Sequence, residues 1–310
     1  MTDSPYASNT YHEENENTSW YKILRMIPSG ASVLDVGCSS GNLGEYLIQK
    51  NIAKKVDGVE IDKGDAAKAA KKLNKVIHMN VETDSFSKLD RYDVIIFADV
   101  LEHMKDATAV LERMKDLLKP GGRIIFSIPN MAHLFVRLQL LEGRFSYTQT
   151  GLLDRTHLHF YDEDEVRRIF SEAGFTIKKF DCTILDYPDQ LIQEKLSKVG
   201  LKSSPEFLKL AHRKTATIFE FIGYSEIGTQ QKPVPLATSS PLDEVLAFVQ
   251  RVKDSEADKV ANLEKKVQLS QKQIDYLEKE RDALLNKPLK TISKSYASKT
   301  KKIIKPNHKR

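Results

Sequence analysis

The chain has 310 residues, 40% of them hydrophobic and 29% charged, with 48 Lys and Arg against 43 Asp and Glu for a net charge of +5. Two cysteines build no disulfide framework, no apolar run nears the roughly 18 residues that cross a bilayer, and the polar first 18 residues carry no secretory signal. A disulfide-stapled secreted scaffold and a membrane-spanning protein are therefore excluded, and one large cytoplasmic domain with appendages is expected.

After a polar arm over residues 1–18, a helix is expected over 19–26. Residues 33–47, VLDVGCSSGNLGEYL, then follow the order strand, glycine turn, helix. Asp35 lies in the strand (32–36), the turn runs from Gly37 to Gly41, and Leu43, Tyr46 and Leu47 set an apolar helix face. This succession presents backbone N–H groups at the carboxyl end of a first strand. A second strand over 55–60 ends in Glu60, where a carboxylate can accept from two ribose hydroxyls. Further strands are expected at 76–79, 94–98 and 123–128, with a helix at 107–118 stopped by Pro120-Gly121-Gly122. Helices at 132–141 and 163–173 follow, then closing strands at 176–185 and 215–224 with two inserted helices, 189–199 and 206–213. Strands alternating with helices specify an α/β domain over 19–227, its parallel sheet covered on both faces.

Residues 228–241 have a linker composition. Beyond them Val260, Leu263, Val267, Ile274, Leu277 and Leu284 occupy a and d positions of a heptad, with Ser270 and Arg281 as polar exceptions. β-branched residues at a with leucine at d favour parallel pairs, so 242–286 is expected to form a coiled-coil helix and a homodimer. The tail, 287–310, holds nine Lys or Arg and no acid, which leaves the rest of the chain at −4. Such a tail suits an anionic membrane surface on the cytoplasmic side. No base-stacking or base-reading pattern accompanies it, so nucleic acid is not an expected partner.

The glycine turn departs from the dinucleotide fingerprint, because Ser39 and Ser40 stand between Gly37 and Gly41 where a central glycine belongs. Asp35, two residues before the first glycine, suits a ligand carrying an ammonium and a sulfonium. On these residues, together with Asn80-Val81-Glu82, YDVIIFADVLEHM and LKPGGRIIFSIPN, the chain resembles class I S-adenosylmethionine-dependent methyltransferases. The resemblance implies a Rossmann-like seven-stranded sheet whose last strand is inserted antiparallel, with S-adenosyl-L-methionine as cofactor. Asp35, Gly37, Cys38 and Gly41 would hold its methionine part, Glu60 the ribose, and Asn80 with Val81 the adenine, with Ala98 beside them.

A hydroxyl acceptor also needs a base. Two clusters offer one: Asp99, Glu102 and His103, which a helix would place on one face, and Asp154, Arg155, His157 and His159 in a polar loop. His157 is the expected general base, with Asp154 tuning it and His103 in reserve; His133 opens a helix and could also face the acceptor. ADVLEHM is similar to the Glu-x-x-Glu-His segment of ubiquinone-biosynthesis O-methyltransferases, which implies Mg2+ at Asp99, Glu102 and His103. Residues 127–175 are similar to methyltransferases found with bacterial glycosyltransferases in cell-surface polysaccharide (O-antigen type) pathways. That resemblance implies O-methylation of a sugar hydroxyl on a surface glycan or its lipid-linked precursor. The alternatives are a quinone or small-phenol O-methyltransferase and a non-catalytic scaffold displaying the coiled coil; intact Asp35, Gly37, Gly41 and Glu60 oppose the scaffold.

Overall fold

The computed structural model describes residues 15–229 and 234–236. The expected coiled coil at 242–286, the basic tail at 287–310 and most of the arm and linker lie outside the described residues.

Seven strands form one sheet: β1 (Ala31–Val36), β2 (Ala53–Glu60), β3 (Lys75–His78), β4 (Tyr92–Ala98), β5 (Leu118–Pro129), β6 (Phe175–Ile184) and β7 (Ile218–Ile227). Their order is β3-β2-β1-β4-β5-β7-β6. The first five are parallel, whereas β7 runs antiparallel between β5 and β6. Connections leave β1 toward β2 on one side and return as β4 on the other, so a crevice opens at the carboxyl ends of β1 and β4.

The period of two along each strand divides the core between the two faces. Leu34, Val36, Ile95, Phe97, Ile124 and Phe126 join one cluster with α4 (Ala107–Met114) and α6 (Glu163–Glu172). Val33, Val94, Ile96 and Ile125 join the other with α1 (Ser19–Leu24), α2 (Asn42–Gln49) and Ala69 of α3 (Lys63–Ala69). Helix starts are fixed by side-chain oxygens on orphan N–H groups, such as Thr18 on Tyr21, Asp62 on Asp65, Asp106 on Ala109 and Asp162 on Glu165.

Several boundaries differ from the sequence expectation. The helix expected to reach 118 stops at Met114 and tightens into a 3₁₀ turn, Lys115–Leu117, because Leu118 already pairs with Tyr92. The last strand starts at Ile218, three residues late, because Lys214–Thr217 form a short helix, α9, that buries Ala216. The inserted helices, α7 (Asp189–Ser197) and α8 (Pro205–Ala211), pack Ile192, Leu196 and Ala211 against Leu134 and Leu138 of α5 (Leu134–Leu141). No helix among the described residues is long and apolar enough to cross a membrane.

Candidate active site

Asp35 lies near the carboxyl end of β1, registered with Gly58 on β2 and Ile96 on β4. It is 3% exposed, and its Oδ2 is buried without a hydrogen-bond partner. Burial, seconded by the Glu60 charge, pushes its pKa up to about 7. A cationic ligand group beside it would satisfy both the orphaned oxygen and the charge. Gly37 and Gly41 have φ of +69° and +80°, and a Cβ on Gly37 would sit 2.8 Å from Val100 Cγ2. The turn does not offer all its N–H groups outward as expected: those of Gly37 and Cys38 donate to Val59 O at 2.8 and 3.1 Å. The Cys38 thiol is buried against Gly58, and burial pushes its pKa up, so this residue contributes backbone and no thiolate.

Glu60 is aimed by two backbone donors, Ser39 N on Oε2 and Asp62 N on Oε1, both at 2.8 Å. Each oxygen keeps a lone pair for a ribose hydroxyl. The 80–84 loop is clamped to α4 from both ends. The Arg113 guanidinium donates to Val81 O at 2.6 Å, Glu82 O at 2.8 Å and Asp84 O, and lies 4.2 Å from the Phe86 ring centre. Glu82 Oε1 in turn accepts from Lys105 N and Asp106 N at 2.8 and 3.2 Å. Asn80 Oδ1 takes Glu82 N at 2.9 Å, an Asx turn that shapes the loop in addition to any contact with adenine. Ala98, half-buried, ends β4 on the same edge.

On the acceptor side the expected helical face does not form. Asp99 has φ of +54° and is pinned by its N–H to Ser127 O and Oγ; only a 3₁₀ turn, Leu101–His103, follows it. Asp99 therefore leaves the expected metal trio. The group the structure assembles is Glu102, His103 and His157, whose ligand atoms all lie within 4.8 Å of one another. Glu102 is fully buried, and neither of its oxygens has a hydrogen-bond partner. His157 Nε2 lies 3.9 Å from Glu102 Oε1, and its Nδ1 is also unpartnered. Burial raises the Glu102 pKa well above the carboxyl range, with Asp99 adding to it, and lowers that of His157, with His103 adding to it. Both shifts favour neutral forms.

Asp154 accepts from Thr156 N and Oγ1 at 2.7 and 2.6 Å, so it orders the loop and reaches His157 through its charge. His103 Nδ1 faces Thr156 O at 3.1 Å and Thr156 Oγ1 at 3.0 Å, and since that hydroxyl donates to Asp154 both act as acceptors, so Nδ1 donates to them. The loop is tied to the turn by Leu158 N and His159 N on Glu102 O. His159 turns to Lys105 O and Arg155 is exposed, so neither joins the cluster. His133 is fully buried between Leu185 O and Phe135 N, capping α5. Glu220, which the sequence reasoning missed, opposes Pro129 and Thr183 in the sheet and is 7% exposed with Oε1 unpartnered. Burial and Asp99 raise its pKa. The only cue was an acid inside the apolar run TIFEFIG.

One carboxylate and two imidazoles are a donor set suited to a divalent transition metal as well as to proton transfer.

A family model described as a methyltransferase domain matches residues 12–179. The chain is 26% identical over 190 residues to the ubiquinone biosynthesis O-methyltransferase of Aeromonas salmonicida, covering 59% of this chain and 78% of that enzyme. It is 32% identical over 111 residues to the enzyme of that name from Azotobacter vinelandii, covering 33% of this chain and 46% of that one. Among solved structures, an S-adenosylmethionine-dependent methyltransferase from Archaeoglobus fulgidus aligns with a TM-score of 0.49 and 18% identity over 69% of this chain and 94% of that one.

Proposed function

The chain belongs to the methyltransferase domain family, and from that premise we propose that this S-adenosylmethionine-dependent enzyme methylates a hydroxyl oxygen. The observation that carries the hydroxyl reading is the fully buried Glu102, both of its carboxyl oxygens without a hydrogen-bond partner, beside His157. The sulfonium supplies an activated methyl group and leaves as a thioether. Asp35 meets the ammonium, Glu60 accepts the ribose hydroxyls, and the loop clamped by Arg113 receives the adenine. Burial holds His157 as the free base, so it can take the acceptor's proton as the new O–C bond forms. Glu102 Oε1, 3.9 Å from His157 Nε2, faces the imidazole as a neutral carboxyl whose dipole meets the charge that develops there. The same three side chains, Glu102, His103 and His157, would hold a divalent cation, which would acidify the hydroxyl and turn His157 from base into ligand.

The acceptor we propose is a sugar hydroxyl of a surface glycan or its lipid-linked precursor, supported by the resemblance over residues 127–175. A quinol or phenol hydroxyl is the second reading, favoured by the names of the Aeromonas and Azotobacter relatives. A methyl-transfer assay with labelled cofactor on fractionated glycans, lipids and quinones of the source organism tests both. Label in the quinone fraction alone overturns the sugar reading, and activity abolished by a chelator and restored by a divalent ion replaces the free-base step.

A further inference from the structure

Glu220 is a buried acid that methyl transfer through His157 does not use. It sits near the start of β7, registered with Pro129 of β5 and Thr183 of β6, and is 7% exposed. Its carboxyl hydrogen-bonds to the Asp99 side chain and to Ser127. Thr183 Oγ1 reaches Oε2 at 3.4 Å, which leaves Oε1 with no donor. Two carboxyl groups in hydrogen-bond contact share a proton between them. Glu220 keeps it, because burial and the acids Asp99 and Glu102 oppose its ionisation, whereas Asp99 is exposed. Oε1, the oxygen without a donor, is then the one free to carry the proton.

Asp99 follows Ala98 at the carboxyl end of β4 and precedes the turn that carries Glu102. Its φ of +54° is a left-handed conformation that residues other than glycine seldom adopt, aspartate and asparagine most readily among them. The Asp99 N–H, at 3.2 Å from Ser127 O and 3.0 Å from Ser127 Oγ, holds the backbone there. Local strain of this kind persists only where the surroundings enforce it, and it clusters at sites that hold ligands. Ser127 thus meets both partners, the Asp99 backbone and the Glu220 carboxyl. The Asp99 charge acts on Glu102 and on His157, which puts all three in one pocket. A carboxylate that takes one bond from Glu220 keeps further lone pairs for a donor in that pocket.

We propose that Asp99 grips the acceptor beside its reacting hydroxyl, accepting from a second hydroxyl or an amine, and that Glu220 is the positioning residue whose carboxyl donates to Asp99 and aims it. The acceptor contact rests on the reading of Glu102 and His157 as the acceptor end; the Glu220–Asp99 bond does not. A polyhydroxy or amino compound offers such a donor, and a ring with a single phenolic hydroxyl does not. Label transfer by the full chain to the source organism's glycan, lipid and quinone fractions reads the contact. Asp99→Asn, which tolerates the same φ, should raise the apparent KM on the order of tenfold at unchanged affinity for S-adenosylhomocysteine. Glu220→Leu should raise it alike, and Glu220→Gln, whose amide N–H can donate to Asp99, should recover most of the loss. The fraction in which KM moves tells a sugar from a ring with adjacent hydroxyls. Without any acceptor, the infrared difference between wild type and Glu220→Gln should contain the band of a protonated carboxyl. An unmoved KM in Asp99→Asn and Glu220→Leu overturns the acceptor contact, and so does a KM that moves only together with cofactor affinity and melting temperature. A carboxylate band for Glu220 overturns the donor role. A wild-type chain that binds S-adenosylhomocysteine yet labels no fraction sinks the hydroxyl reading and the acceptor contact with it, while the infrared band still decides the Glu220–Asp99 bond.

Discussion

In its proposed place beside the cofactor's ammonium, Asp35 would make cofactor binding pH-dependent, and the sign follows from its environment. Its folded pKa is raised to about 7 from an ordinary 3.8, so its contribution to stability is present below the ordinary value and is lost as pH rises toward 7. The ionised form is the one that attracts an ammonium. Affinity for S-adenosylhomocysteine should therefore rise with pH through about 7, with proton release on binding, and Asp35→Asn should flatten the profile; calorimetry in buffers of different ionisation enthalpy reads both. Glu60→Ala removes a charge-assisted acceptor and should cost about 1.5–3 kcal/mol of cofactor affinity for each hydroxyl bond lost, while circular dichroism stays unchanged. Wild-type affinity in that variant would remove Glu60 from the site. His157→Ala should lower turnover at unchanged cofactor affinity, whether imidazole serves as base or ligand; rescue of that variant by added imidazole without metal selects the base. The placement of Asp35 and Glu60 was legible because each stands at the carboxyl end of its own strand, Asp35 just ahead of the glycine turn. The Glu102–His157 pair was not, because pairing residues from a 3₁₀ turn and a distant loop requires the fold itself. Nor was the burial of Glu220, which follows from its register against Pro129 and Thr183.

Among elements, the 80–84 loop has no regular structure of its own and borrows its shape from α4. Arg113→Ala strips three main-chain carbonyls of their donor and should weaken S-adenosylhomocysteine binding on the order of tenfold, with Arg113→Lys recovering part of it. An equal melting-temperature loss in both variants with unchanged affinity would make Arg113 a purely structural residue. The alternation of strands and helices was readable from hydrophobic period, and so was the antiparallel end of the sheet from the family resemblance. The clamp was invisible, because its acceptors are backbone carbonyls that leave no trace in side-chain pattern. Element ends slipped where pairing overrode propensity: Leu118 is drawn into β5 ahead of its glycine turn, and Thr215 to Thr217 coil to bury Ala216 against α5.

At the scale of the molecule, the chain divides into units over Met1–Leu242 and Asp243–Arg310. From the heptad in the sequence over 260–284 we propose that the second unit mediates self-association. A chain ending at Leu242 should bind S-adenosylhomocysteine as the intact one does and scatter light as a monomer, while the intact chain scatters as a dimer; equal masses would refute the pairing. The strand order carries a further consequence, for synthesis. β1 to β5 can assemble as soon as they leave the ribosome, but the free edge of β5 has no partner until β7 arrives, where Arg123 meets Glu226. β6 is made first yet pairs only with β7, so it cannot close that edge in the meantime. The nascent chain therefore carries an open strand edge across some ninety residues of translation, a template for aggregation. Ribosome-stalled chains ending before Ile218 should thus resist proteolysis in the cofactor half and remain cleavable around β6, with the acceptor half closing only after Ile227 has emerged.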